Sequence, residues 1–136
     1  MKGLFAASAT TRGVTVRANP SYLAERSLPE RDHYVWTYHI RIENGGDTPV
    51  QLMSRHWVIT DGAGNVHEVK GAGVIGAQPE VAPGATYDYV SACPLETPMG
   101  TMTGSYQMRD IATGDRFDAE IPLFLLTSPA AVGSRN

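Results

Sequence analysis

Three glycines at the spacing G-x-G-x-x-G are the residues of this chain whose pattern most directly suggests chemistry. They are Gly71, Gly73 and Gly76. In dinucleotide-binding proteins, glycines at this spacing open a helix whose N-terminal N–H groups hold a pyrophosphate. Here Gln78-Pro79 follows at once, and proline disfavours a helical conformation in the residue before it. No amphipathic helical run comes next, so the context excludes a dinucleotide-binding unit.

Two interpretations of this glycine segment remain open. Glycine-rich backbone forms N–H concavities that bind anions without a helix, and Arg55 and Lys70 would then supply cations beside the three glycines. Alternatively, the segment is a crossing loop whose glycines allow close backbone packing, with Val74 and Ile75 inserted into the core. The first interpretation predicts outward-facing N–H groups, and the second predicts glycines that the backbone conformation requires.

Three histidines could form a metal site if the strands that carry them converged. They are His39, His56 and His67. Zinc usually takes three or four closely spaced ligands, together with groups that orient them. Histidines at outward strand positions are more often surface residues, so we predict no metal site and no cofactor.

Nucleophilic chemistry has equally little support. Ser54, His56 and Asp61 could be drawn together as a Ser–His–Asp set, but no nucleophile elbow surrounds the serine. Cys93 stands before Pro94, with neither a helix N-terminus nor a basic neighbour in sequence to lower its pKa. We predict that it is a small, partly buried hydrophobic residue, and we assign no catalytic residue.

Length and composition limit the function classes. The 136 residues fit one domain, and nine arginines and two lysines against 14 acidic residues give a formal net charge of −3. Without a basic run, binding to duplex nucleic acid through phosphate contacts is disfavoured. The single cysteine excludes an intrachain disulfide, and no apolar run approaches the length of a membrane span. We expect a cytoplasmic protein without a secretory signal.

The longest predicted strand covers residues 34–43, where apolar and polar side chains alternate at period two. The face that we expect to be buried carries Tyr34, Trp36, Tyr38, Ile40 and Ile42. A strand over residues 50–60 places Met53, Arg55, Trp57 and Ile59 on its inward parity. The charge of Arg55 must then find a partner, or reach water beyond its apolar stem.

Further short strands are predicted over residues 14–16, 66–69, 85–92, 102–108 and 117–125. Asp61-Gly62-Ala63-Gly64 forms a hairpin turn. In the last strand Phe117, Ala119, Ile121 and Leu123 align on one face, while Pro122 indicates an edge or a bulge. Residues 1–12 are expected to be a loose lead-in, 21–31 a loop, 93–100 a long turn, and 127–136 a loose tail.

About seven short strands, frequent turn signals and no helical period predict an all-β protein, a β-sandwich of two sheets. We expect residues 1–136 to form a single domain with a core over about residues 13–126. Without a disulfide between the sheets, the tryptophans and tyrosines must fill the interior.

Three sequence blocks in order carry a resemblance to a known family. They are V-Q-L-M-S-R-H-W-V-I-T-D, then E-V-K-G-A-G-V-I-G-A-Q-P, then C-P-L-E-T-P-M-G-T-M-T-G-S-Y-Q-M. The chain resembles the ApaG family over roughly residues 14–125. The resemblance implies an immunoglobulin- or fibronectin-type-III-like sandwich, a link to cobalt and magnesium tolerance, and a suggested pyrophosphate role for the glycine motif. It brings no catalytic residues. At Ser91-Ala92-Cys93 the chain departs from the glycine that the family often has before the cysteine.

Three functional hypotheses follow. The leading one is a non-enzymatic module of the ApaG type that binds a protein partner through a face or an edge of the sandwich, with a homodimer left open. The alternative is a pyrophosphate- or nucleotide-binding protein that uses residues 71–76 with Arg55 or Lys70. The third is a metal-linked enzyme.

Overall fold

A computed structural model describes residues 6–130 of the chain. In this range nine strands form two antiparallel sheets that pack face to face, and the predicted immunoglobulin- or fibronectin-type-III-like β-sandwich is confirmed. The strands are β1 (Ala7–Thr11), β2 (Val14–Tyr22), β3 (Tyr34–Asn44), β4 (Val50–Asp61), β5 (Val66–Ala72), β6 (Glu80–Val81), β7 (Thr86–Leu95), β8 (Met99–Asp110) and β9 (Arg116–Thr127). None of the helical turns in residues 6–130 is long and apolar enough to cross a membrane.

The order of the strands leaves the two long sides of the sandwich unequal. The smaller sheet has the order β1-β2-β3-β7, and the larger has the order β5-β4-β8-β9, with β6 paired to β4. Strand β9 packs against β1 and β2, which closes one side. On the other side, β5 and β7 are the edge strands of their sheets. We call this side the open edge.

The buried face of β3 follows the predicted alternation. All five of its apolar-face residues are buried, namely Tyr34, Trp36, Tyr38, Ile40 and Ile42. Trp36 and Trp57 are 1% and 2% exposed, so the facing predicted for both indoles is confirmed. The Trp36 indole N–H donates to the Thr127 carbonyl at 2.9 Å, which ties β3 to the end of β9.

A β-bulge in β4 corrects the predicted position of Met53. The pairing with β8 shifts between Leu52 and Ser54, because two residues of β4 advance against one step of β8. Val50 and Leu52 face the core before the bulge, and Trp57 faces it afterwards. Met53 is the extra residue and is only half-buried. An inserted residue of this kind reverses the parity of every position beyond it.

A second bulge corrects the predicted face of β9. Ala119 and Ile121 are buried as predicted, but Phe124 and Leu126 follow them inward while Leu123 is 57% exposed. The register shifts opposite Thr103, at the place where Pro122 stands. The prediction of an edge or a bulge at Pro122 is therefore confirmed, and the alignment of Leu123 with Ile121 is wrong.

Several element bounds also differ from the predictions. Residues 7–11, expected to be a loose lead-in, form β1 along β2. Strand β2 continues through Pro20 to Tyr22, because β1 pairs only as far as Ala18 and leaves that side of β2 without a neighbour. Edge positions of this kind tolerate the missing N–H of proline.

The remaining differences concern strand lengths and loops. Strand β7 extends through Pro94 to Leu95, where a turn was predicted. Strand β3, predicted to be the longest, is one residue shorter than β4, β8 and β9. The predicted loop over 21–31 contains two short 3-10 turns, Ala24–Arg26 and Pro29–Arg31. In the predicted tail, Ser128 is buried and its hydroxyl donates to the Pro98 carbonyl. Residues 1–5 and 131–136 lie outside the described range.

Candidate functional site

The glycine segment forms a tight turn directly after β5. Val74 and Ala77 exchange two backbone hydrogen bonds of 2.8 and 2.9 Å. The two residues between them, Ile75 and Gly76, have φ values of +39° and +80°. Positive φ at both central residues defines a type I′ turn, the hairpin connection whose twist matches that of strands.

Three backbone N–H groups of this segment are engaged within the protein, whereas those of Ile75 and Gly76 at the tip of the turn form no backbone hydrogen bond within residues 6–130. Gly73 donates to the Met53 carbonyl at 2.9 Å, and the N–H groups of Val74 and Ala77 close the turn. An anion-binding concavity needs several N–H groups that point at one open position. The hydrogen bonding therefore favours the conformational interpretation, and anion binding by this segment stays a prediction.

Arg55 approaches the glycine segment on its carbonyl side. One terminal nitrogen of its guanidinium, Nη1, donates to the carbonyls of Ala72 and Gly73 at 3.1 and 2.9 Å. These bonds supply the partner that an inward-facing arginine needs. The segment thus presents acceptors to a cation of its own chain.

Gly73 is required by both close approach and backbone conformation, whereas a side chain at Gly71 would meet only the movable end of Arg55. A Cβ at Gly71 would lie 2.9 Å from both terminal nitrogens of Arg55. Gly73 has φ +61°, and a Cβ there would lie 2.1 Å from the Ala77 carbonyl oxygen. Gly76 has open space around it, and only its positive φ favours glycine.

Lys70 and Arg55 do not form a common cradle. They border one shallow depression at the end of the larger sheet. The register sets Lys70 opposite His56 and Arg55 opposite Gly71. Neighbouring positions along a strand point to opposite faces, so the two cations project from opposite faces of the sheet.

The two apolar residues of the turn have different environments. Val74 is 1% exposed and inserts into the core, as predicted. Ile75 is 62% exposed, so its predicted insertion is wrong. The type I′ turn is responsible, because it reverses the chain at Ile75 and places the side chain at the tip.

A groove along the open edge is the main concave feature near these residues, and we call it the open-edge cleft. A cavity of about 310 Å³ lies between β5 and β7, with Tyr38, Trp57 and Met102 at its base and Val69 on its β5 side. A cavity of about 170 Å³ continues it toward the glycine turn. Arg55 borders both cavities.

Sequence reasoning did not find this cleft. The available signal was the inward parity of Arg55 beside Trp57. A charge placed among apolar side chains implies either a partner or an opening to solvent. The structure provides both, since the guanidinium bonds to carbonyls and borders the cleft.

The three candidate metal ligands lie on different surfaces. His39 is on the outer face of the smaller sheet, where its Nε2 lies 2.7 Å from an Asp88 carboxylate oxygen. His56 is on the outer face of the larger sheet, 2.6 Å from a Glu68 oxygen, and His67 borders the cleft. Among residues 6–130, no three His, Cys, Asp or Glu side chains converge in a way that could hold a metal ion.

The members of the Ser–His–Asp set each bond to other partners. The Ser54 hydroxyl donates to Gln107, and Asp61 accepts from the backbone N–H groups of Ala63 and Asn65 in its hairpin turn. Burial raises the pKa of the Cys93 thiol to about 11. A thiol with this pKa is protonated at neutral pH and is a poor nucleophile, in agreement with its prediction as a buried hydrophobic residue.

Comparison with known proteins identifies the family. A family model described as the ApaG domain matches residues 24–110. The chain belongs to the ApaG family. Protein ApaG of Mesorhizobium japonicum is 53% identical over 121 residues, 89% of this chain and 92% of that protein. Protein ApaG of Caulobacter vibrioides is 51% identical over 128 residues, 94% and 91% of the two chains.

Solved structures agree with this assignment to the ApaG family. The putative ApaA protein from Bordetella pertussis is 48% identical, with a TM-score of 0.82 over 85% of this chain and 94% of that one. The C-terminal domain of wzt is 10% identical with a TM-score of 0.54 and shares the fold alone. The resemblance found in the three sequence blocks is confirmed.

Proposed function

We propose that this ApaG protein is a non-enzymatic interaction module that binds a protein partner at the open-edge cleft. The observation that carries the proposal is a cleft with an apolar base between two strand edges that pair with nothing else in residues 6–130. Unpaired strand edges are templates for pairing with another chain.

The composition of the cleft supports a binding role. Val69 is 41% exposed on the β5 border and Ile75 is 62% exposed at the glycine turn, above a base that is itself buried. Exposed apolar side chains grouped at a groove mark interaction sites on protein surfaces. Within residues 6–130, His39 and His56 pair with carboxylates, the Ser54 hydroxyl donates to Gln107, and Cys93 is buried.

The family's link to cobalt and magnesium tolerance fits this proposal as an indirect effect. We infer that such tolerance is exerted through the protein that the module binds. The support is that the candidate ligands His39, His56 and His67 lie on three different surfaces.

A capture experiment with a matched pair of variants tests the proposal. Val69→Asp places a charge in the cleft, whereas Val90→Asp places the same charge on the outer face of β7, where Val90 is 56% exposed. Wild type and Val90→Asp are expected to retain the same protein from an extract of the source cells, and Val69→Asp to lose it. Retention that is equal in all three, or absent in all three, would refute the proposal.

A further inference from the structure

The open-edge cleft is longer than its central cavity. A third cavity of about 430 Å³ continues it past His67, Pro94 and Leu95 to the far end of β4, where it is bordered by Asp61 and Glu96. From Arg55 to Asp61, strand β4 advances six residues, about 20 Å at the usual rise of a strand. The cleft therefore has the length of about six residues of extended chain.

Main-chain partners lie along one border of the cleft. Strand β5 contains no proline from Val66 to Ala72, and it pairs only with β4 among the described strands. Its outer edge thus offers a row of N–H and C=O groups. An extended peptide that adds to such an edge gains main-chain hydrogen bonds, while its alternate side chains enter the neighbouring pockets.

The two ends of the cleft differ in charge. At one end, Nη1 of Arg55 bonds to two carbonyls, while its Nε and Nη2 have no hydrogen-bond partner among residues 6–130. At the other end stand Glu96 and Asp61, whose carboxylate also accepts hydrogen bonds within its own turn, together with the imidazoles of His33 and His67. A half-buried guanidinium with free N–H groups favours a carboxylate, and the end with Asp61 and Glu96 favours a cation.

The turn beside Arg55 carries backbone strain. Ile75 is β-branched and has φ +39°, a conformation that such residues rarely adopt. Its side chain is 62% exposed and borders the cleft cavity next to Arg55. Strained residues with little packing of their own tend to mark binding sites, and here the strain presents an apolar side chain at the cleft mouth.

We propose, resting on the proposed function, that the open-edge cleft binds an extended segment of the partner protein. The segment places apolar side chains against Val69 and Ile75, an acidic side chain on the Arg55 guanidinium and a basic side chain at the end of the cleft that holds Asp61 and Glu96. The charge polarity fixes the direction in which the segment lies.

Peptide selection tests this statement without knowledge of the partner. A phage library of random decapeptides is selected on the immobilised protein at physiological salt, after depletion on Val69→Asp. The selected peptides are expected to share apolar residues flanked by an acidic residue on one side and a basic residue on the other. Binding of a synthetic selected peptide is then measured by fluorescence anisotropy.

Variants of the protein and of the selected peptide then show which of their residues are in contact. Arg55→Gln, and replacement of the peptide's acidic residue by its amide, should each weaken binding by about tenfold or more. Combined, the two changes should weaken binding no further than either alone, because they remove one shared contact. Ile75→Gly should weaken binding several-fold without lowering the melting temperature, whereas Val90→Asp should leave binding unchanged.

Three outcomes would overturn the inference. In the first, the selection enriches no peptide after depletion on Val69→Asp. In the second, the selected peptides lack an acidic residue. In the third, the effects of Arg55→Gln and of the peptide amide on binding are additive. If the capture experiment still shows Val69-dependent retention of a protein, the module function stands and only the extended-segment inference fails. Displacement of the peptide by micromolar inorganic pyrophosphate would instead make the Arg55 end an anion site and refute the peptide contact there.

Discussion

Two tyrosine hydroxyls meet inside the core, where Tyr89 and Tyr106 form a short hydrogen bond. Burial raises the pKa of both phenols, so both stay protonated at neutral pH. Within the described residues, neither hydroxyl has another hydrogen-bond partner. A buried hydroxyl that loses its partner costs about 1–3 kcal/mol, whereas removal of both partners is often nearly neutral.

We therefore predict non-additive effects at this pair. Tyr89→Phe and Tyr106→Phe should each lower the free energy of unfolding by about 1–3 kcal/mol, since each leaves one hydroxyl unpaired. The double variant should cost clearly less than the sum. Urea denaturation of the four proteins measures the coupling, and strictly additive losses would show that the hydroxyls do not depend on each other.

Asp88 gives the outer face of the smaller sheet a pH dependence. Burial alone would raise the pKa of Asp88, but hydrogen bonds from Arg41 and His39 outweigh it and hold that pKa below the usual 3.8. The unfolded chain then binds its proton more readily than the folded chain. The contribution to stability is complete above the usual pKa and is lost as the pH falls through the lower, folded value.

We predict that removal of the Asp88 carboxylate lowers stability at neutral pH but not in strong acid. Compared with wild type, Asp88→Asn should have a lower denaturation midpoint at neutral pH, and the difference should vanish in strong acid. The size should be modest because the carboxylate is 37% exposed. Asp118→Asn is the control, since Asp118 is exposed and has no ion pair within residues 6–130. A difference that is constant across pH would contradict the assignment.

At the scale of elements, two glycines of one turn distinguish the cost of a close packing contact from the cost of an unfavourable backbone conformation. A Cβ at Gly73 meets the Ala77 carbonyl oxygen, whereas a Cβ at Gly76 meets nothing within 4 Å, although both residues have positive φ. Gly76→Ala should then cost about 1 kcal/mol from conformation alone. Gly73→Ala should cost at least about 2 kcal/mol, because the turn must also open. Equal melting temperatures for the two variants would exclude the packing role of Gly73.

The strands show which features of the fold could be predicted from sequence patterns. The alternation in β3 was predictable because every second residue is large and apolar over its whole length. The bulge in β4 was not predictable, and Pro122 indicated a bulge in β9 without showing which residues face inward beyond it. Met53 and Leu123 are as hydrophobic as the residues that take their places in the core. Which residue is inserted depends on the register with β8, and that register is a tertiary property.

In the candidate site, too, some features could be predicted from the sequence and others depend on the tertiary structure. The inward parity of Arg55, and its need for a partner, followed from the spacing to Trp57. Its actual partners, the carbonyls of Ala72 and Gly73, depend on how β5 pairs with β4. The cleft itself arises from the order of the strands, which leaves β5 and β7 as edges on one side. No local pattern encodes that order.

At the scale of the whole molecule, Trp57 joins the two sheets. Its ring lies edge-on to Tyr38 of the smaller sheet at 5.2 Å, and to Tyr106 and Phe124 of the larger sheet at 6.2 and 6.0 Å. It also forms part of the base of the cleft. A large aromatic residue at such a position fills volume that no disulfide spans.

Trp57→Ala should therefore lower the free energy of unfolding by about 3–5 kcal/mol, the usual cost of a large truncation in a core. Val66→Ala is the matched control, because Val66 is 58% exposed on the same sheet and should change stability by less than about 0.5 kcal/mol. Chemical denaturation gives both values. A midpoint for Trp57→Ala close to that of wild type would mean that the two sheets hold together without this residue.

Charge and hydrogen bonding across the molecule limit its affinity for nucleotides. The chain has a formal net charge of −3, the cations of Lys70 and Arg55 project from opposite faces of a sheet, and the turn N–H groups close hydrogen bonds of their own. We predict that ATP, diadenosine tetraphosphate and pyrophosphate bind in the high micromolar range or more weakly, at most about 6 kcal/mol. Titration calorimetry at physiological salt measures this. Submicromolar binding that is lost in Arg55→Gln or Gly76→Ala, with folding preserved, would establish the pyrophosphate function in place of the interaction module.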